Sequence, residues 1–147
     1  MPIKTFRGKL PIGEQEKLHL STNDGLTGYR INKFQIISST PGLANHELIA
    51  QIFLTDQTGS ITSDVDFSNA DLIAVSYYVD NTSTSSNNST LIIFDNETFN
   101  QDIFISITDA AGTTVECNYY IELEQMKLDL NHSTYITIKN IRSRTQV

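Results

Sequence analysis

The stretch Val115-Glu116-Cys117-Asn118-Tyr119-Tyr120-Ile121-Glu122-Leu123-Glu124-Gln125-Met126 decides the fold class. Its odd positions, Val115, Cys117, Tyr119, Ile121 and Leu123, are apolar or aromatic, and its even positions include Glu116, Asn118, Glu122 and Glu124. Successive side chains of an extended chain point to opposite faces, so this alternation predicts a strand with one face in a core and the other in water. A helix would need its apolar residues about every 3.6 positions instead.

The same period recurs outward from this stretch. Ile103–Thr108 is a strand, and Asp109-Ala110-Ala111-Gly112 after it reads as a hairpin turn. Leu91–Phe94, Leu72–Val79, Lys17–Ser21 and Ile3–Leu10 are further strands, the last stopped by Pro11 and Gly13. Leu48–Thr55 is apolar on both faces, which predicts a central strand. In Gly28–Ser38 the apolar phase switches from Tyr29 and Ile31 to Phe34 and Ile36, as at a bulge or where a strand changes sheets. The low-complexity run from Asn81 to Thr90 is expected to be an exposed, mobile loop tip. Beyond Met126 the pattern reads two ways. Tyr135, Ile138 and Ile141 fit a short helix capped by Asn131, while Thr-Tyr-Ile-Thr-Ile is also good strand sequence. Helix is preferred because a cap is present and residues 138–142 continue the helical phase. About eight strands, no long helix, no repeat and no linker predict an all-β fold. The expected architecture is one jelly-roll-like β-sandwich domain over residues 1–147 with a short C-terminal helix.

Composition agrees. Ser, Thr and Asn supply 43 of 147 residues, favouring strands and turns over a helical bundle. The opening Met-Pro-Ile-Lys-Thr-Phe-Arg lacks the apolar core of a secretory signal, and Cys117 is the single cysteine, so folding in a cytosol is expected. No apolar run is long enough for a membrane span.

Chemistry is sparse. His19, His46 and His132 share no metal-ligand spacing, and neither a phosphate-binding glycine loop nor a Gly-x-Ser-x-Gly elbow occurs. Cys117 falls on the apolar side of its strand, where a core thiol is expected rather than a nucleophile. The segment Asp64-Val65-Asp66-Phe67-Ser68-Asn69-Ala70-Asp71 offers oxygen ligands for Ca²⁺, but the central Gly and closing Glu of an EF-hand are missing. Turn-forming Asp and Asn explain it as well. No catalytic residue, cofactor or metal is therefore expected. Tyr77, Tyr78, Tyr119 and Tyr120 keep a sugar- or receptor-binding module open as the alternative, although Trp is absent.

Charge is more informative. Between Phe34 and Met126 there are 13 Asp and Glu and no Lys or Arg, while Lys4, Arg7, Lys9, Lys17, Lys139, Arg142 and Arg144 lie near the two ends. An acidic body repels nucleic acid. Basic ends beside Ile3, Phe6, Ile138 and Ile141 suit a contact with another copy or another protein, so Ile3, Phe6, Arg7, Ile138, Ile141 and Arg142 are the candidate interface residues. The bland reading is that terminal cations only solvate loose ends.

Five segments carry a family resemblance: Phe6–Leu10, Leu20–Gly25, Gly28–Ile31, Ile93–Glu97 with Phe99–Ile103, and Asn118–Gln125. They resemble small virion structural proteins of marine tailed phages, cyanophages and related bacterial viruses, over about Phe6 to Arg142. The resemblance implies a structural role as a head decoration or tail accessory protein, with phage capsid or tail proteins and further copies as partners. It implies no enzyme, and a location in the virion after synthesis in the host cytoplasm.

Overall fold

The computed structural model describes the backbone of residues 2–41, 45–81, 86–94, 97–112 and 115–145, and the side chains of all of these except 80–81, 86–89 and 140–145. Eight strands precede one helix: β1 (Ile3–Leu10), β2 (Gln15–Leu18), β3 (Thr27–Ser38), β4 (His46–Phe53), β5 (Leu72–Asn81), β6 (Ser86–Ile93), β7 (Ile103–Asp109), β8 (Cys117–Lys127) and α1 (Leu130–Thr145). They form two antiparallel sheets, β1-β8-β3 and β2-β7-β4-β5-β6. Alternation predicted this all-β sandwich. In a jelly roll strand 1 pairs with 8, 2 with 7, 3 with 6 and 4 with 5. Three of those pairings form here, but β6 bonds to β5 and only comes near β3.

Strand β8 is the middle of its sheet. Cys117, Tyr119, Ile121 and Leu123 are buried, with 120, 122 and 124 only half-buried between them, as the period of two demands. Strand β4 is the third of five and is buried on both faces. Leu48, Ala50 and Ile52 face the main core with Phe34, Ile105, Ile107 and Ile121. Phe53 on the opposite face joins Leu72, Val75 and Phe94 in a second cluster. Phe67 meets Phe94 edge-on at 5.0 Å, so the 54–71 connection shields that outer face. The phase switch in β3 is a bulge between Ile31 and Lys33.

Several boundaries differ from the sequence reading. Residues 86–90, expected to be loop, extend β6, because Ser and Asn pair along the backbone of β5 even without apolar side chains; residues 82–85 of that run lie outside those described. The turn after β7 exists, with Gly112 at φ 78 and its N–H bonded to the Asp109 carbonyl, but it joins strands of opposite sheets and is not a hairpin. The helix forms, yet its cap is Asp129, which accepts the His132 N–H at 2.7 Å, and Asn131 already lies inside the helix.

Candidate functional site

A broad opening lies where the 3–6 pairing is not made. Strand β3 stacks mainly against β5 and only comes near β6. The result is a cleft of about 570 Å³ walled by β3 and floored by β5 and β6. This is within the size range of ligand pockets. Phe34, Ile36 and Tyr78 bring apolar surface to it, and Gln35, Asn118 and Ser76 bring hydrogen-bonding groups. Among the described residues that line it there is no Lys, Arg, His, Asp or Glu. Sequence reading missed the cleft, since no local pattern reports which strand β6 pairs with.

A second, smaller cavity of about 140 Å³ lies under the 54–71 connection, lined by Gln51, Asp64, Asp66 and Asn69 among others. Here the Asp64–Asp71 segment spends its oxygens on turns. Asp66 accepts the Ser68 N–H and hydroxyl, Asn69 accepts the Asp71 N–H, and the Asp64 carbonyl accepts from Gln51. The Ser68 bonds hold the Asp66 carboxyl below its ordinary value. Among the described residues no three His, Cys, Asp or Glu come close enough to hold a metal.

Cys117 is fully buried, and burial pushes its thiol up to about 12, with the Asp109 charge adding to the shift. A thiol held protonated and shut away from solvent cannot act as a nucleophile. His46 and Asp109 are also fully buried, 3.9 Å apart, and His46 meets the Thr40 carbonyl at 3.4 Å. Asp109 further accepts the N–H groups of Glu47 and Ala111, so the pair ties the start of β4 to the turn after β7. His19 is exposed and 4.0 Å from Asp102. His132 is exposed on α1.

The expected interface residues divide. Ile3 is 51% exposed and Arg7 is exposed on the outer face of β1. Phe6 instead turns inward and packs against the core, because its position in β1 alternates with theirs. Ile138 is 52% exposed. Ile141 and Arg142 fall within α1, but their side chains lie outside those described. The described part of the helix packs through both polar and apolar side chains. Its buried contacts are Ser133, whose hydroxyl donates to the Gly25 carbonyl, Ile136, and Thr137, whose hydroxyl accepts from Asn100. Leu130 and Tyr135 are 73% and 64% exposed.

Charge segregated along the sequence is also segregated in space. Lys4, Arg7, Lys9, Arg30, Lys33 and Lys127 all belong to the three-stranded sheet, whereas β4, β5, β6 and β7 contain no cation. Comparison with models of known protein families and with curated proteins finds no match to this chain.

Proposed function

We propose that this protein is a non-catalytic structural subunit of a tailed-phage virion, a head decoration or tail accessory protein that acts by assembling onto the particle. The observation that carries this reading is the outward apolar face of α1, with Leu130, Tyr135 and Ile138 turned to solvent while the helix packs through Ser133, Ile136 and Thr137. Grouped exposed apolar side chains mark a surface that a partner covers. Lys4, Arg7, Lys9, Arg30, Lys33 and Lys127 give the three-stranded sheet cations with which to meet the net acidic surface of another copy or of the shell beneath. The same acidic surface disfavours nucleic acid. Mass spectrometry of purified particles tests the reading. The protein is expected there at a fixed ratio to the major capsid or tail subunit, and its absence from washed particles refutes a virion role.

A second reading, a receptor- or carbohydrate-binding module, is favoured by one feature. The cleft combines Tyr120 with Asn118, Gln35 and Thr90, and its described lining bears no charge, which suits neutral sugars. A glycan array with the purified chain tests it, and no retained glycan removes it.

A further inference from the structure

We propose that the small cavity under the 54–71 connection binds one Ca²⁺ ion, held by Asp64 and Asp66 of the connection and by Gln51 and Ser106 of the sheet beneath. The inference is independent of the assembly reading.

The sheet supplies the half of the site that the acidic segment lacks. Gln51 on β4 and Ser106 on β7 are direct partners in an antiparallel pair, so they stand side by side on the outer face. Phe53, Leu72 and Val75 make that face apolar nearby. Gln51 and Ser106 are only 4% and 3% exposed, and polar groups so buried are normally bonded. Yet the two do not bond to each other. Gln51 gives its Nε2–H to the Asp64 carbonyl at 3.2 Å, which leaves Oε1 an acceptor without a donor among the described residues. Ser106 Oγ makes no hydrogen bond among them either. Both side chains line the cavity.

The connection supplies the charge. Asp64 and Asp66 line the same cavity. Among the described residues no hydrogen bond reaches the Asp64 carboxylate, and Asp66 commits only Oδ1, to Ser68. No Lys or Arg is among the described lining residues, and the sequence has none between Phe34 and Met126. Charges of one sign around a concave polar space raise the local concentration of counter-ions.

The donor set selects the ion. Two carboxylates, an amide carbonyl and a hydroxyl are all oxygen donors, which suit a hard cation and not zinc. Ca²⁺ accepts oxygens in flexible geometry, whereas Mg²⁺ demands a near-ideal octahedron that an arched connection does not impose. Two carboxylates fall short of three acidic or imidazole ligands, so the neutral oxygens of Gln51 and Ser106 are needed to complete the protein's share. The volume of about 140 Å³ leaves room for waters to fill the remaining positions. With only two charged ligands the affinity falls at the weak end for Ca²⁺ sites, about 0.1–1 mM. The bound ion would tie the connection to β4 and β7.

The test is a CaCl₂ titration of the isotope-labelled full chain after treatment with a chelator, at constant ionic strength and followed by NMR. The Gln51 side-chain amide and the backbone signals of residues 62–69 should shift and saturate with a midpoint of about 0.1–1 mM, and the urea midpoint should rise with Ca²⁺. Asp64→Asn should weaken binding at least about tenfold, since it removes one of two charged ligands. Ser106→Ala should weaken it about threefold. Without Ca²⁺ that variant should be as stable as the parent or more so, because it deletes a polar group that has no partner. Glu14→Gln, at an exposed acid outside the cavity, should change nothing. The proposal is overturned if no signal saturates below about 20 mM Ca²⁺, well above the weak end of such sites. Equal shifts with MgCl₂ at the same concentration also overturn it, as do equal losses from Glu14→Gln and Asp64→Asn, which would mark a diffuse counter-ion cloud. Unchanged binding in Ser106→Ala, or a loss of its stability without Ca²⁺, refutes the part assigned to the sheet.

Discussion

At the scale of single residues, buried polar groups do defined structural work. Asp102 Oδ1 accepts the backbone N–H groups of Leu20 and Ser21 at 2.7 and 2.9 Å and the Ser21 hydroxyl at 3.0 Å, and its other oxygen lies 3.4 Å from Lys17 Nζ. Burial alone would raise this carboxyl, but the Ser21 and Leu20 N–H groups, the Ser21 hydroxyl and Lys17 outweigh it and hold it below 3.8. Its charged form is favoured by folding, so the stability it lends is present above the ordinary Asp range and is lost as pH falls through the lowered value. Asp102→Ala strands two N–H groups and should cost about 2–4 kcal/mol at neutral pH. Urea midpoints of the two proteins should converge as pH falls below the ordinary Asp range, since the bonded carboxylate is then neutralised in the parent; a constant gap across pH contradicts this account. Tyr119 provides a second tie. Its hydroxyl donates to Glu16 at 2.7 Å and so links the two sheets, and its ring lies where a Cβ on Gly8 would stand 2.8 Å from the hydroxyl oxygen. Gly8 therefore serves as space for a ring on the neighbouring strand. Cys117 should react with a thiol reagent only after denaturation, and rapid labelling of the native protein would place it on the wrong face of β8.

At the scale of elements, β1 and α1 are the pieces whose roles change most from their place in the chain. Basic residues near the start suggested a loose end, but β1 pairs with β8 at all eight positions from Ile3 to Leu10. Deleting residues 1–9, a natural test of a terminal interface, would thus remove a strand and uncover Tyr119 and Ile121. Point changes are the cleaner probe. Ile138→Asp is expected to leave the unfolding midpoint nearly unchanged, because the side chain is 52% exposed, while reducing self-association or particle binding measured by sedimentation. If assembly is untouched, the outward face of α1 is not an interface. Asp129→Ala removes the cap bond to His132 and should cost about 1 kcal/mol of stability. Asn131→Ala, one residue into the helix, should cost less than that.

At the scale of the whole molecule, six Lys and Arg on the three-stranded sheet of a chain with net charge -7 predict salt-sensitive assembly. Arg7→Glu should weaken sedimenting complexes more at low than at high salt, since the screening length falls from about 30 Å at 0.01 M to about 3 Å at 1 M. Equal losses at both salts would assign Arg7 a packing role instead. Much of this architecture is local information. The alternation in residues 117–123 determines a strand with one wet face, the doubly apolar Leu48–Phe53 determines a central strand, and the Tyr29-to-Phe34 phase switch narrows to a bulge or a change of sheet, which the structure resolves as a bulge, because side-chain direction along a strand depends only on neighbours in sequence. The start of β6 was not legible, because Ser and Asn favour turns in isolation and become strand here only through β5. The partner of β6, and with it the cleft, is also a tertiary decision. Both β3 and β5 offer a backbone edge, and edges are chemically alike, so the choice depends on which neighbour is already in place. The orientation of α1 has the same origin. Its pattern permits a helix, but only Gly25 and Asn100 at the end of the sandwich determine that Ser133 and Thr137 turn inward and Tyr135 and Ile138 turn out.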